Sequence, residues 1–371
     1  MAKLIDITGK ALSGEWGTDD ESGDGIPVLR TTNFTNEGVV NYNDVVTRTI
    51  TKKNIDEKFL RKGDIIIEKS GGSDKFPVGR VIYFDGEENT YLFNNFTGLL
   101  RVKNQDVWYP RYVFYSLFAN YKRGGTRAYE NKTTGLHNLK IDDYVSRYEV
   151  AKINKQEQVS ICEKLDKIYA IIKSRELELQ LLDDLIKARF VEMFGDPVQN
   201  DKGWVTDTVE NLCKEIYGGG TPSKAHLEYY EDGDIPWVSS KDMKSDMLTD
   251  SQIKINQLGV DNSTAKMVPV NSVIMVIRSG ILKHTLPIAI NAVPITVNQD
   301  LKVFIPSERV LTRFLAVQFK MHEKDILTGV RAVTADNIEF NTLKQRELIV
   351  PPIELQQEYV AFLEQVTKSK F

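Results

Sequence analysis

Two hydrophobic rhythms alternate along the chain. Residues 1 to about 150 carry short β-type runs parted by Gly, Asn and Asp turns, among them Asp64-Ile65-Ile66-Ile67, Val81-Ile82-Tyr83-Phe84 and Leu99-Leu100-Arg101-Val102. Pro110 heads a helical stretch through Phe118. Between Asn154 and Phe194 neither Gly nor Pro occurs, and Gly195-Asp196-Pro197 supplies a helix stop. Apolar residues there alternate spacings of four and three: Ile161, Leu165, Ile168, Ile172, Leu179, Leu182, Ile186 and Met193, with Arg175 and Arg189 at the two remaining seam positions. That spacing predicts one long helix with a heptad seam, about 60 Å from end to end at about 1.5 Å per residue. Residues 204 to about 350 return to the first rhythm, and Pro351-Pro352-Ile353 opens a shorter helix over Glu354 to Lys370. The predicted class is α+β. Two similar domains with mixed curved sheets are separated by a long helix and followed by a second, the helices pairing as an antiparallel coiled coil.

Phrases as well as rhythm recur. Ile26-Pro27-Val28 answers Ile235-Pro236-Trp237, and Lys62 through Gly71 answers Asn271 through Gly280, both at an offset of 209 (236 − 27 and 279 − 70). Gly125-Thr126-Arg127 faces Gly329-Val330-Arg331 at 204, and Val159 through Leu165 faces Val360 through Val366 at 201. A slowly drifting offset is what a duplicated domain with loop deletions leaves behind. The expected divisions are residues 1–150, 151–198, 199–350 and 351–371.

At 371 residues, 41% hydrophobic and 27% charged, the chain has room for two globular domains, each with its own core. The first residues lack the apolar stretch of a signal peptide, and no segment has the run of about 18 apolar residues a membrane span needs. Cys162 and Cys213 read as buried free thiols. A soluble cytoplasmic protein is expected. The net charge of −4 argues against wholesale nucleic-acid binding, but basic residues cluster locally. Tyr121 to Lys140 holds Lys122, Arg123, Arg127, Lys132 and Lys140 against Glu130, and Asn262 to Gln299 holds no acid at all.

Catalytic signatures are missing. His137, His226, His284 and His322 show no metal-ligand spacing. Gly218-Gly219-Gly220-Thr221-Pro222-Ser223 lacks the Lys-Ser/Thr ending of a phosphate loop and reads as a tight turn. Asp64 and Glu68-Lys69 lack nuclease spacing, and Val350-Pro351-Pro352-Ile353 is not the motif that grips a flipped base. The chain reads as non-catalytic.

Ile26-Pro27-Val28-Leu29-Arg30, Gly63-Asp64-Ile65-Ile66-Ile67, Tyr217 through Ser223, Gly233-Asp234-Ile235-Pro236-Trp237-Val238, Asn298-Gln299-Asp300-Leu301 and Pro351-Pro352-Ile353 with Gln356-Gln357-Glu358 together resemble the specificity subunit of a Type I restriction–modification system. The resemblance covers nearly the whole chain. It implies two target recognition domains that each read half of a split double-stranded DNA sequence. Two methyltransferase subunits would clasp the helices and motor-nuclease subunits would join for cleavage, so S-adenosylmethionine and ATP belong to those partners and no cofactor to this chain. Two departures stand out: Val150-Ala151-Lys152 replaces the Pro-Pro lead-in of the first helix, and the second helix is shorter than the first.

Base and phosphate readout calls for Arg, Lys and hydrogen-bonding side chains on turns. In the first domain the candidates are Lys69, Ser70, Lys75, Arg80, Lys122, Arg123, Arg127 and Lys132. In the second they are Lys241, Arg278, Ser279, Lys283, His284 and Arg331, with Arg278 answering Lys69 and Arg331 answering Arg127. Pairing of the helices is expected to bury Leu165, Ile168 and Ile172 against Phe362 and Val366, leaving the seam near Leu182, Ile186 and Met193 partly unpaired. Leu179 and Leu182 are expected to serve partner binding. Rival readings are a decoy specificity module that captures partner subunits, and a non-DNA binding scaffold on a helical stalk.

Overall fold

The computed structural model describes residues 1–133, 136–328, 331–332 and 336–370, with the backbone alone at 132–133 and 331–332. The chain forms two compact units, Met1–Ser174 and Arg175–Phe371. Their boundary falls inside the long helix, Lys155–Phe194, so each unit owns part of it.

In the first unit Leu12–Ser13, Thr97–Leu100, Ile65–Glu68 and Val81–Tyr83 form an antiparallel sheet in that order. The central strand is buried on both faces, which is why it reads as an unbroken Ile-Ile-Ile run. Alternation along it sends Ile65 and Ile67 into a cluster with the helix Pro110–Lys122, and Ile66 into a second cluster with Leu29 and Phe93. A second sheet carries Val46–Thr49, Ile26–Leu29 and Leu92–Phe93, the last two parallel. The second unit repeats this plan. Cys213–Gly218, Leu301–Pro306, Val273–Val276 and Ile288–Asn291 stand in the same order, extended by Met247–Leu248, beside Lys254–Ile255, Ile235–Val238 and a parallel Thr296–Val297. The duplication expected from the phrases is therefore a duplication of sheet order and strand direction.

Strand register fixes the correspondence more finely than the letters do. Glu68 faces Thr97 as Val276 faces Leu301, so the central strands match at 208 (276 − 68). Gly63 and Asn271, 208 apart, both take a left-handed backbone, φ 93° and 64°, entering that strand. The Ile-Pro strands keep the expected 209, since Val28 and Trp237 hold matching places beside Leu92 and Thr296. One residue of slip in a strand turns each side chain to the other face. Arg278 therefore corresponds to Ser70, not Lys69: Ser70 pairs with Asn138 as Arg278 pairs with Asn337. Arg331 likewise does not match Arg127. Arg127 lies in a 3-10 turn, Gly125–Tyr129, whereas Arg331 pairs with Asn337 in a hairpin, as Asn131 pairs with Asn138.

Each helix is rooted in its own unit by the same contacts. Gln158 is fully buried; its Oε1 accepts from Tyr109 N–H (2.8 Å) and its Nε2 donates to the carbonyls of Val107 (2.9 Å) and Ile153 (3.0 Å). Gln356 repeats this with Leu311 N–H (3.0 Å), Arg309 O (3.0 Å) and Pro351 O (2.8 Å). Arg111 pairs with Asp166 (2.7 Å), and Arg313 with Glu364 (3.3 Å). The helices thus match at 198 (356 − 158 and 364 − 166), correcting the 201 suggested by the sequence.

The final helix, Ile353–Ser369, runs antiparallel to the second half of the long one. Glu358 pairs with Arg189, Tyr359 Oη donates to Ile186 O (3.2 Å), Lys370 pairs with Asp183, and Arg175 donates to the carbonyls of Ser369 and Lys370. This reverses the expected pairing. Phe362 lies under the Arg189 guanidinium (5.9 Å), not against Leu165, Ile168 or Ile172. Ile186 and Met193 pack on the second unit's core beside Phe190 and Phe194, instead of standing unpaired. Leu165 joins the first unit's core, while Ile168 is 52% and Ile172 48% exposed. The physical reason is that in its first half the helix turns Gln158, Cys162, Leu165 and Tyr169 toward its unit, a stripe offset from the heptad seam; Tyr169 stacks on Tyr115 (6.0 Å).

Candidate nucleic-acid interface

In both units the central strand runs out into a turn that a hairpin covers. In the first, Glu130–Thr133 and Leu136–Leu139 form the hairpin, and its second strand pairs with Ser70–Gly72. The following turn is held from below. Arg127 donates to the carbonyls of Asp74 (3.1 Å) and Lys75 (3.3 Å), and buried His137 bonds Glu130 (3.0 Å), whose other oxygen accepts from Val78 N–H (3.0 Å). Lys75 and Phe76 stand exposed on that supported turn, the ammonium 5.2 Å from the ring. Lys122 and Arg123 are exposed where the helix ends and the Arg127 turn begins. Lys122, Arg123 and Arg127 thus share one exposed stretch, and Arg127 joins it to the turn that carries Lys75. The side chain of Lys132 lies outside the described residues.

Two candidates are engaged elsewhere. Arg80 donates to the carbonyls of Phe34 (2.9 Å) and Thr31 (3.0 Å) and pairs with buried Glu68 (3.5 Å), so it clamps the two sheets. Burial raises the Glu68 carboxyl above its ordinary pKa, with Arg80 opposing. Lys69 points at Ser13 (3.0 Å), and burial, aided by Lys58, lowers its pKa. Ser70 sits at the strand end, half-buried.

In the second unit Arg278 is 47% exposed and donates through Nε to Asp300 Oδ1 (2.7 Å), with NH2 2.6 Å from the same oxygen. Ser279 caps the short turn Gly280–Lys283, and Lys283 lies 3.8 Å from Asp336 of the hairpin. His284 and Lys241 are exposed. The turn carrying Lys241 begins beside that of Asp300, since Asn298 N–H donates to Val238 O (2.9 Å). Arg278, Ser279 and Lys283 meet at the hairpin; the Arg331 side chain and Gly329-Val330 lie outside the described residues.

Sequence reading passed over Asp300 and Phe96. Both follow the Asn that bonds the neighbouring strand, Asn94 N–H to Leu29 O and Asn298 N–H to Val238 O, so they are equivalent at 204 (300 − 96). Asn298-Gln299-Asp300 stands out in the sequence as a phrase, but no sequence signal marks its Asp as a partner for Arg278.

No cluster of His, Cys, Asp or Glu suited to a metal occurs among the described residues. Burial pushes both thiols up to about 12, which keeps them protonated and unreactive near neutrality. In the Gly218–Gly220 run, a Cβ on Gly219 would lie 1.9 Å from Val297 O, and one on the equivalent Gly14 2.1 Å from Asn94 O. Those glycines admit close strand approach. On the long helix Leu179 and Leu182 are half-buried on the face of Arg175 and Ile186, while Ile171, Leu177, Leu181 and Leu185 are exposed. No described helix is long and apolar enough to cross a membrane.

The profile of a family described as the Type I restriction modification DNA specificity domain matches residues 2–181 and 201–371. The EcoR124I/EcoR124II specificity subunit of Escherichia coli is 38% identical over 150 residues, covering 40% of this chain and 37% of that protein. The MjaIX specificity subunit of Methanocaldococcus jannaschii is 29% identical over 170 residues, 44% of this chain and 37% of that one. The matched segments thus span a little over a third of each relative's length. Among solved structures, the S subunit of a Type I restriction–modification system from M. genitalium aligns with a TM-score of 0.62 at 14% identity, covering 99% of this chain and 89% of that one. A second, from work on type I R-M complex assembly, aligns at 0.51 and 14%, covering 100% and 90%. At that identity the two structures speak for the fold alone.

Proposed function

The chain belongs to the Type I restriction–modification DNA specificity family, and from that premise we propose that it binds double-stranded DNA at a split target. Residues 1–150 would read one half and residues 199–350 the other. The observation that carries this reading is the repetition, in both units, of a turn-and-hairpin edge beside the central strand, bearing Lys75, Lys122, Arg123 and Arg127 in one copy and Arg278, Lys283 and His284 in the other. Local positive charge on the first edge would supply phosphate affinity despite the net charge of −4, while on the second, where Arg278 and Lys283 stand beside Asp300 and Asp336, hydrogen-bond donors would do more than net charge.

The chain itself performs no chemistry on this reading. The exposed Ile171, Leu177, Leu181 and Leu185 of the long helix would receive two methyltransferase subunits, which bring S-adenosylmethionine, and motor-nuclease subunits bring ATP. Leu179 and Leu182, turned toward the seam, are less suited to that contact than their sequence spacing suggested. The place of action is the cytoplasm. The length of the helix 155–194 would set the unread gap between half-sites.

DNA affinity measured against salt tests the reading. Log Kobs should fall linearly with log salt, steeply by about 0.9 per phosphate contacted, and Lys75→Ala should reduce the slope by about one. Methylation mapping in cells expressing the chain with its neighbouring subunits should return a two-part motif with one fixed gap. Salt-insensitive or absent binding would favour the scaffold reading instead.

A further inference from the structure

At one matched place on the hairpin edge the two units carry different chemistry. Register makes Ser70 the counterpart of Arg278, and Phe96 the counterpart of Asp300. In the second unit this locus holds a braced guanidinium. Asp300 accepts from Nε and lies against NH2 of Arg278, and Asp300 is itself set by Asn298, whose Oδ1 accepts from Asp300 N–H (3.1 Å) and whose Nδ2 donates to Asp300 Oδ2 (3.2 Å). In the first unit the same locus holds a hydroxyl and an aromatic ring that is 53% exposed.

A guanidinium has five N–H donors; in the brace Nε–H donates to Asp300 Oδ1 and NH2 lies 2.6 Å from the same oxygen, so the contact is confined to the Nε edge. The two on NH1 and one on NH2 have no partner among the described residues, and the side chain is 47% exposed. Those donors form a fork at the end of the guanidinium, the arrangement that matches two adjacent acceptors. In duplex DNA the major-groove edge of guanine offers such a pair in O6 and N7. A lysine or an unbraced arginine supplies the charge without the fixed fork.

We propose that Arg278, positioned by Asp300, reads a guanine in the half-site of the second unit, and that the Ser70/Phe96 locus gives the first unit no such preference. This rests on the DNA-reading function proposed above. Asp300 acts here as a positioning residue.

The test is base-preference selection on random duplexes with the full chain and its variants, each checked by thermal melting. The wild type should select guanine at one position of one half-site. Arg278→Ala should lose roughly ten- to a hundredfold preference at that position alone. Arg278→Lys, which keeps the charge and can keep the pair with Asp300, should lose the preference while retaining non-specific affinity, and it serves should the alanine variant fail to fold. Asp300→Asn should weaken the same position and no other. Placing 7-deazaguanine there, which removes the N7 acceptor, should weaken the wild type about tenfold and leave Arg278→Ala unaffected. A uniform loss across all sequences would make Arg278 a phosphate contact and overturn the proposal. An unchanged preference in the variants, or a base other than guanine at the affected position, would overturn it too. A wild-type chain that selects no sequence would instead remove the DNA-reading function and this inference with it.

Discussion

Replacing Gln356 by Leu should unroot the final helix and leave the root of the long helix at Gln158 untouched. Leucine has similar bulk and suits a site with no solvent exposure. It removes three hydrogen bonds at once: the partner of Leu311 N–H, and a donor to the carbonyls of Arg309 and Pro351. An orphaned buried N–H costs about 1–3 kcal/mol, and each carbonyl loses a bond worth about 1 kcal/mol. The added apolar contact returns about 1 kcal/mol, so the net loss is about 2–4 kcal/mol. That is a large part of a typical unit's stability of about 5–15 kcal/mol. Native-state hydrogen exchange reads it directly. Leu311 and the amides of Ile353–Ser369 should exchange roughly thirtyfold faster or more, taking 1.4 kcal/mol per tenfold, while Tyr109 keeps its protection. Gln158→Leu should do the reverse. A loss under about 0.5 kcal/mol in either variant, or loss of protection at both roots from one substitution, would refute the reasoning.

Gly219→Ala should destabilise the second unit by about 1–3 kcal/mol, because its Cβ meets Val297 O at 1.9 Å, whereas Gly280→Ala, with nothing within 4 Å, should be nearly neutral; equal urea midpoints would contradict the close-approach argument. Tyr359→Ala removes a buried ring packed among Phe190, Phe194 and Phe314, and about 3–5 kcal/mol with it, so limited proteolysis should cut within the final helix; a resistant helix would count against that packing. His322 is buried, and burial, helped by Arg346, pushes its pKa down to about 4 from 6.5. The unfolded chain therefore binds the proton more readily. The second unit should lose about 3 kcal/mol as pH falls from 6.5 to 4, and His322→Phe should flatten that slope; an unaltered pH profile would exclude His322 as its source.

Architecture was largely legible in the sequence, because a duplicated sheet repeats its letters. The Ile-Pro strands carry the same offset in sequence and structure, since a proline and its neighbours leave little room for a shift. The central strand did not. Ile65-Ile66-Ile67 and Val273-Ile274-Met275-Val276-Ile277 are uniformly apolar because both faces are buried, so letters cannot distinguish one register from the next. That single residue hid Asp300 and misplaced Lys69. Of the seam, Arg175, Ile186 and Arg189 meet the final helix, whereas from Ile161 to Ile172 the surface met is a folded unit with its own stripe. Periodicity states how a helix can pack and leaves open against what. Gln158 and Gln356 hold the same place in both helices, a repetition that would have been visible had the offset of 198 been known.

Both root glutamines bond only to backbone atoms of the segments just before and beneath their own helix. A lock made of main chain accepts any side chains elsewhere. A unit cut out together with its helix stump would therefore carry its own root with it, and on the proposed function a differently worded sibling could take its place with the fitting preserved.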